Sequence, residues 1–108
     1  KLAVHTNRSN YALPNLAYFN LDGFFDPVIT AETHTPKPSP EGVFAILDAW
    51  GLSAGQVGFV GDSELDALAA GGAKAPFFAY KNNALGAAMH VNDFYSLAEA
   101  LRDYLAEA

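Results

Sequence analysis

The stretch GFVGDSELDALAAGGA, residues 58–73, decides how the rest of the chain reads. It opens as a short apolar strand, Gln56–Asp62 with its flanks, and continues as a helix, "SELDALAA", that Gly71-Gly72 is expected to stop. Gly61 lets the backbone turn sharply off the strand. Asp62 then projects from the strand end, and Asp66 follows one helical turn later on about the same face. A carboxylate pair there suits Mg²⁺, a hard cation that takes oxygen ligands and keeps several waters. The structural alternative makes Asp62 an N-cap and Asp66 a solvated helix residue.

Working outward, strands and helices alternate, the pattern of an α/β domain built on a parallel sheet. Towards the N-terminus, Leu2–Thr6 is a strand of the buried type. Asn10 is placed to cap a helix running to about Asn20, with Pro14 in its first turn, where a missing N–H is tolerated. A strand follows around Val28–Thr30. Ser39 as N-cap and Pro40 at the first helical position then open a helix. Its stripe Val43, Ile46, Leu47 and Trp50 has helical spacing, and Gly51 is suited to end it. Towards the C-terminus come a strand at Ala75–Tyr80, a short edge element at His90-Val91 and a helix at Leu97–Glu107. That helix carries the capping box Ser96-x-x-Glu99 and the stripe Leu97, Leu101, Leu105.

Composition narrows the class. The 108 residues suffice for one small domain, and 51% hydrophobic with 17% charged residues fits a packed core rather than disorder. With 6 Lys+Arg against 12 Asp+Glu and no basic run, a nucleic-acid surface is not expected. No apolar run reaches the roughly 20 residues of a membrane span. There is no cysteine, hence no disulfide framework or thiolate metal site, which fits a reducing cytoplasm. An acidic protein that handles an anion needs a local cation, and a divalent metal would serve.

Two further clusters fall at positions related to Asp62 and Asp66. Thr6-Asn7 ends the first strand and offers a hydroxyl and turn N–H groups. Lys37 lies in the rigid "TPKPSP" loop, which can aim an ammonium into a cleft. Ligands of open α/β sheets bind beyond the carboxyl ends of strands, so the three clusters could share one rim. Taken singly, Thr6-Asn7 reads as a turn and Lys37 as a surface residue. His5, His34 and His90 lack metal-ligand spacing to one another, and Asn82-Asn83 read as loop residues. "LAYFNLDGFFD", Leu16–Asp26, resembles a nucleophile loop in which Asn20 replaces the attacking carboxylate. Leu13, Leu16 and Ala17 share a helical face, however, and Asp22-Gly23 is a turn, so the stretch reads as a helix end and connector.

In order, "LAVHTN", "HTPKPSPEGVFAIL" and "GFVGDSELDALAAGGA" resemble motifs II, III and IV of the haloacid dehalogenase superfamily, over nearly the whole chain. "KPSPE" with "VGDSxxDxxAA" is most similar to the phosphoglycolate-phosphatase-like branch. The resemblance implies a Rossmann-like three-layer αβα core and hydrolysis of a small phosphorylated metabolite through an aspartyl-phosphate. It implies that Thr6 and the Asn7 backbone hold the phosphoryl group, that Lys37 offsets charge, that Asp62 binds Mg²⁺, and that Asp66 binds it through water or orients Lys37. Motif I and the cap are expected to lie outside residues 1–108, a partial core. The motif I strand would sit centrally, so its absence leaves a slot to be filled by an N-terminal segment or another chain. The rival expectations are a non-catalytic relative that binds phosphate or a partner chain, and an unrelated flavodoxin-like binding domain.

Overall fold

The computed structural model describes residues 1–9 and 12–107. The elements run in the order β1 (Val4–His5), α1 (Ala12–Tyr18), β2 (Val28–Ile29), α2 (Glu41–Trp50), β3 (Phe59–Gly61), α3 (Glu64–Ala73), β4 (Phe77–Tyr80), β5 (Met89–Val91) and α4 (Phe94–Glu107). All strand pairs are parallel: helices connect β1 to β2 and β3 to β4, and the loop of residues 81–88 connects β4 to β5.

The strands form two separate sheets, β1-β2 and β3-β4-β5. Around the larger sheet the layers are clear. On one face Val43 and Leu47 of α2 pack with Ala69, Ala73 and Ala75, and Ala70 of α3 meets Phe77 and Ala79. On the other face Phe78 and Val91 pack against Leu97 of α4. The change of face from Phe77 to Phe78 to Ala79 is the period-2 alternation of a strand covered on both sides. Small residues of α3 let it lie close on the sheet, since Ala69 and Ala70 are fully buried.

Helix α2 also reaches the smaller sheet. A Cβ on Gly42 would lie 2.3 Å from Nε2 of His5, so only glycine lets the β1 imidazole pack there. Trp50 donates its indole N–H to the carbonyl of Asp26 at 2.9 Å. Between the sheets the His5 ring meets Phe59 of β3 edge-on, with centroids 5.8 Å apart. No backbone hydrogen bond among the described residues joins β1 to β3.

Several boundaries differ from the sequence reading. Helix α3 runs through Gly71-Gly72 to Ala73 and closes on Lys74 in the left-handed region (φ 60°). Gly72 is tolerated there because its bare Cα faces the Pro40 ring, 3.2 Å from where a Cβ would sit. Helix α4 begins at Phe94, and its cap is Asp93, whose carboxylate accepts the Ser96 N–H at 2.7 Å. The expected Ser96 box loses to a better-placed acceptor three residues earlier. Helix α2 starts at Glu41, where Ser39 Oγ accepts the Glu41 N–H, and Gly51 ends it in the left-handed region. The expected Asn10 cap lies outside the described residues. The "LAYFNLDGFFD" stretch is the end of α1 followed by a turn, as the spacing indicates, with no strand within Leu16–Asp26.

Candidate functional site

Lys37 bridges the end of β1 and the first turn of α3. Its ammonium donates to Asp66 Oδ1 at 2.7 Å and to the His5 carbonyl at 2.9 Å. In β1, the Val4 and Thr6 N–H groups bond to Pro27 and Ile29 on the β2 side. By alternation the His5 carbonyl faces away from β2, towards the open edge. Lys37 therefore crosses from the smaller sheet to α3 and supplies the one ion pair tying the halves together among the described residues. Two of its three protons are placed on these acceptors, and the third has no partner among the described residues.

The aim of Lys37 is set from its backbone as well. Asn7 donates Nδ2–H to the Lys37 carbonyl at 3.0 Å and accepts the Lys37 N–H on Oδ1 at 2.8 Å. This two-point bracket joins the residue after Thr6 to the Pro-rich loop across 30 positions of sequence. Asn7 enters the sequence reading only through its backbone, so the carboxamide bracket is a further use of that residue. Thr6 sits half-buried at the end of β1, its hydroxyl oxygen accepting the Arg8 N–H at 3.1 Å.

Asp66 is buried and fully engaged. Oδ1 takes Lys37, while Oδ2 accepts from the Asp62 N–H (3.2 Å), the Ser63 N–H (3.2 Å) and the Ser63 hydroxyl (2.9 Å). Ser63, not Asp62, is the N-cap of α3, and Asp66 closes a reciprocal capping box with it. Burial alone would raise the Asp66 pKa, but Lys37 and the Ser63 donors outweigh it and hold the carboxyl below its ordinary value. Asp66 thus holds the Lys37 ammonium directly.

Gly61 has a reason that local sequence does not suggest. It is absent from the positive-φ glycines, so no left-handed turn requires it. Instead, a Cβ at Gly61 would lie 2.5 Å from Cβ, Cγ and Oδ2 of Asp66. Gly61→Ala is expected to destabilise the fold by about 1–3 kcal/mol, the usual range for overpacking, by driving Asp66 off Lys37. Chemical denaturation checks this, and an unchanged midpoint would show that the Asp66 carboxylate has room to retreat.

Asp62 stands differently. It is exposed, and its carboxylate has no hydrogen-bond or ionic partner among the described residues. It is the free anionic oxygen donor at this rim, and Mg²⁺ characteristically takes one or two carboxylates together with waters and phosphate oxygens. The donor chemistry fits that ion as part of a ligand set. No group of three or more His, Asp or Glu side chains among the described residues makes a complete one.

His5, assigned no role from sequence, lies beside this arrangement. Burial, then the nearby Lys37 charge, lowers its pKa to about 4, with a smaller opposing pull from Asp66 and a smaller contribution from His34 in the same direction as Lys37. The ring is thus neutral near pH 7, and its buried Nδ1 has no hydrogen-bond partner among the described residues. A cavity of about 400 Å³ between Leu2, Phe24, Pro27 and Trp50 does not include these residues.

The sequence model of the haloacid dehalogenase-like hydrolase family matches residues 1–80. A solved haloacid dehalogenase superfamily hydrolase of subfamily IA, variant 1, from Geobacter sulfurreducens is 40% identical. It superposes with a TM-score of 0.88 over 92% of this chain and 51% of that one. A superfamily hydrolase from Ehrlichia chaffeensis is 27% identical, with a TM-score of 0.80 over 95% of this chain and 50% of that one. A protein described as a predicted phosphoglycolate phosphatase, from Haemophilus somnus, is 26% identical, with a TM-score of 0.81 over 93% and 49%. The chain spans about half the length of these solved relatives. No curated protein matches it significantly.

Proposed function

The chain belongs to the haloacid dehalogenase-like hydrolase family, and on that premise we propose that it is the motif II–IV part of the core of a Mg²⁺-dependent phosphatase. The observation that carries the reading is the Lys37 ammonium, held by Asp66 and by the carbonyl of His5 at the end of β1, with one proton unpartnered among the described residues. A phosphoryl oxygen is the natural acceptor for that proton and for the Thr6 hydroxyl. The ion pair leaves Asp62 as unbalanced negative charge, so a phosphate dianion brought here needs a further cation. Mg²⁺ bound through Asp62 would supply it, and when bound it would screen charge on the transferring group.

In this reading Asn7 holds the Lys37 backbone still while Asp66 holds the ammonium, so the cation needs little reorganisation as charge develops. The attacking carboxylate and the cap come from sequence outside residues 1–108, and this chain alone is inactive. An absence of cysteine supports work in a reducing compartment such as the cytoplasm. The name carried by the Haemophilus relative makes phosphoglycolate the first substrate to try.

The test is Mg²⁺-dependent phosphate release from an aryl phosphate, then from phosphoglycolate, by the longer protein that carries this chain. Asp62→Asn, which keeps shape and removes charge, is expected to lower turnover about 100-fold or more. Full activity in that variant would refute the metal role of Asp62.

A further inference from the structure

Asp62 has a free carboxylate, yet its backbone is tightly held. Its N–H donates to Asp66 Oδ2 at 3.2 Å, and its carbonyl accepts Nδ2–H of Asn82 at 2.9 Å. These two hydrogen bonds restrain the peptide groups on either side of Asp62, and with them the direction of its Cα–Cβ bond. Only two side-chain torsions then separate the backbone from the carboxylate. Asn82 comes from the loop after β4, the strand paired with β3, and reaches Asp62 across 20 positions of sequence. Its own carboxamide is oriented in turn, because Oδ1 accepts the Ala84 N–H at 3.1 Å. Asn82 is half-buried, whereas Lys81 and Asn83 on either side are exposed.

We propose that Asn82 is a positioning residue: through the Asp62 carbonyl, its carboxamide sets how the Asp62 carboxylate leaves the β3 rim. This rests on the reading of Asp62 as a Mg²⁺ ligand. Residues that hold a ligand in place, without touching the ion, typically carry about 10–100-fold in metal affinity. The Asp62 carbonyl lies near the surface, so water takes the place of a lost Asn82 donor and the metal-free fold is little affected.

The experiment is calorimetric titration of the longer protein with Mg²⁺ alone, alongside metal-free thermal unfolding. Asn82→Ala is expected to weaken Mg²⁺ binding about tenfold while leaving metal-free unfolding close to wild type. Asn82→Asp gives the sharper contrast, because it keeps the size, loses the donor and adds negative charge. Weaker binding in that variant supports positioning through the hydrogen bond. Tighter binding would mean that local charge alone governs the site, and would overturn the proposal. Wild-type affinity in Asn82→Ala, with Asp62→Asn losing the metal, would overturn the role of Asn82 and leave that of Asp62 intact. Equal binding by wild type and Asp62→Asn, or none by wild type, would remove Asp62 as a ligand and Asn82 with it.

Discussion

Lys37→Met in the longer protein is expected to reduce phosphate release about 100–1,000-fold and to cost about 3 kcal/mol of stability. The two losses have separate causes. Activity falls because a preorganised cation at the end of β1 is gone. Stability falls because Asp66, with only 10% of its side chain exposed, is left without its counter-charge. Breaking a buried pair usually costs about 3–5 kcal/mol, and the surviving Ser63 and Asp62 donors hold the cost to the lower end. The double variant Lys37→Met/Asp66→Asn separates the causes: it removes the orphaned charge and keeps a side-chain oxygen for the Ser63 and Asp62 donors, so much of the lost stability returns while activity does not. Near-wild-type turnover in Lys37→Met would refute the role of Lys37. A double variant no more stable than the single one would refute the charge argument.

Residues 1–108 expressed alone are expected not to unfold as a cooperative monomer. The β1 and β3 edges face each other without a backbone bond among the described residues, bridged by the Lys37–Asp66 pair and the His5–Phe59 contact. Open strand edges recruit other chains, because each presents unpaired N–H and C=O groups. Apolar side chains beside the smaller sheet are also uncovered: Leu2 is 57% exposed, Leu13 61%, Phe19 66% and Phe24 65%. We propose that a further parallel strand, from the same protein or another chain, pairs with both edges. Thermal unfolding with sedimentation decides the matter. A sharp monomeric transition for residues 1–108 would show that the two sheets need no strand between them.

Much of this was legible in the chain because it depends on local rules. The helical stripe from Val43 to Trp50 and the glycine closing it follow from periodicity and backbone freedom. So does the reading of "LAYFNLDGFFD" as a connector, where helical spacing outweighs a chance likeness. The end of α3 was misread for a related reason. Gly71-Gly72 is a helix breaker by propensity, and only contact with Pro40, 32 residues away from Gly72, makes glycine the residue that fits. The start of α4 went to Asp93 because two capping choices lie within one turn, and their competition is settled by packing and geometry.

By itself, then, the sequence determined the α/β class and the order of strands and helices, and it pointed to Thr6, Lys37, Asp62 and Asp66 as candidates for the site. Residue type and periodicity carry that information. Only the tertiary structure decided which of these residues meet. It joined Lys37 to Asp66 across 29 positions and Asn7 to the Lys37 backbone across 30. It left Asp62 free and brought Asn82 to its carbonyl. Hydrogen bonds of about 3 Å between residues so far apart in sequence have no local signature, because they arise from the parallel pairing that sets strand ends side by side.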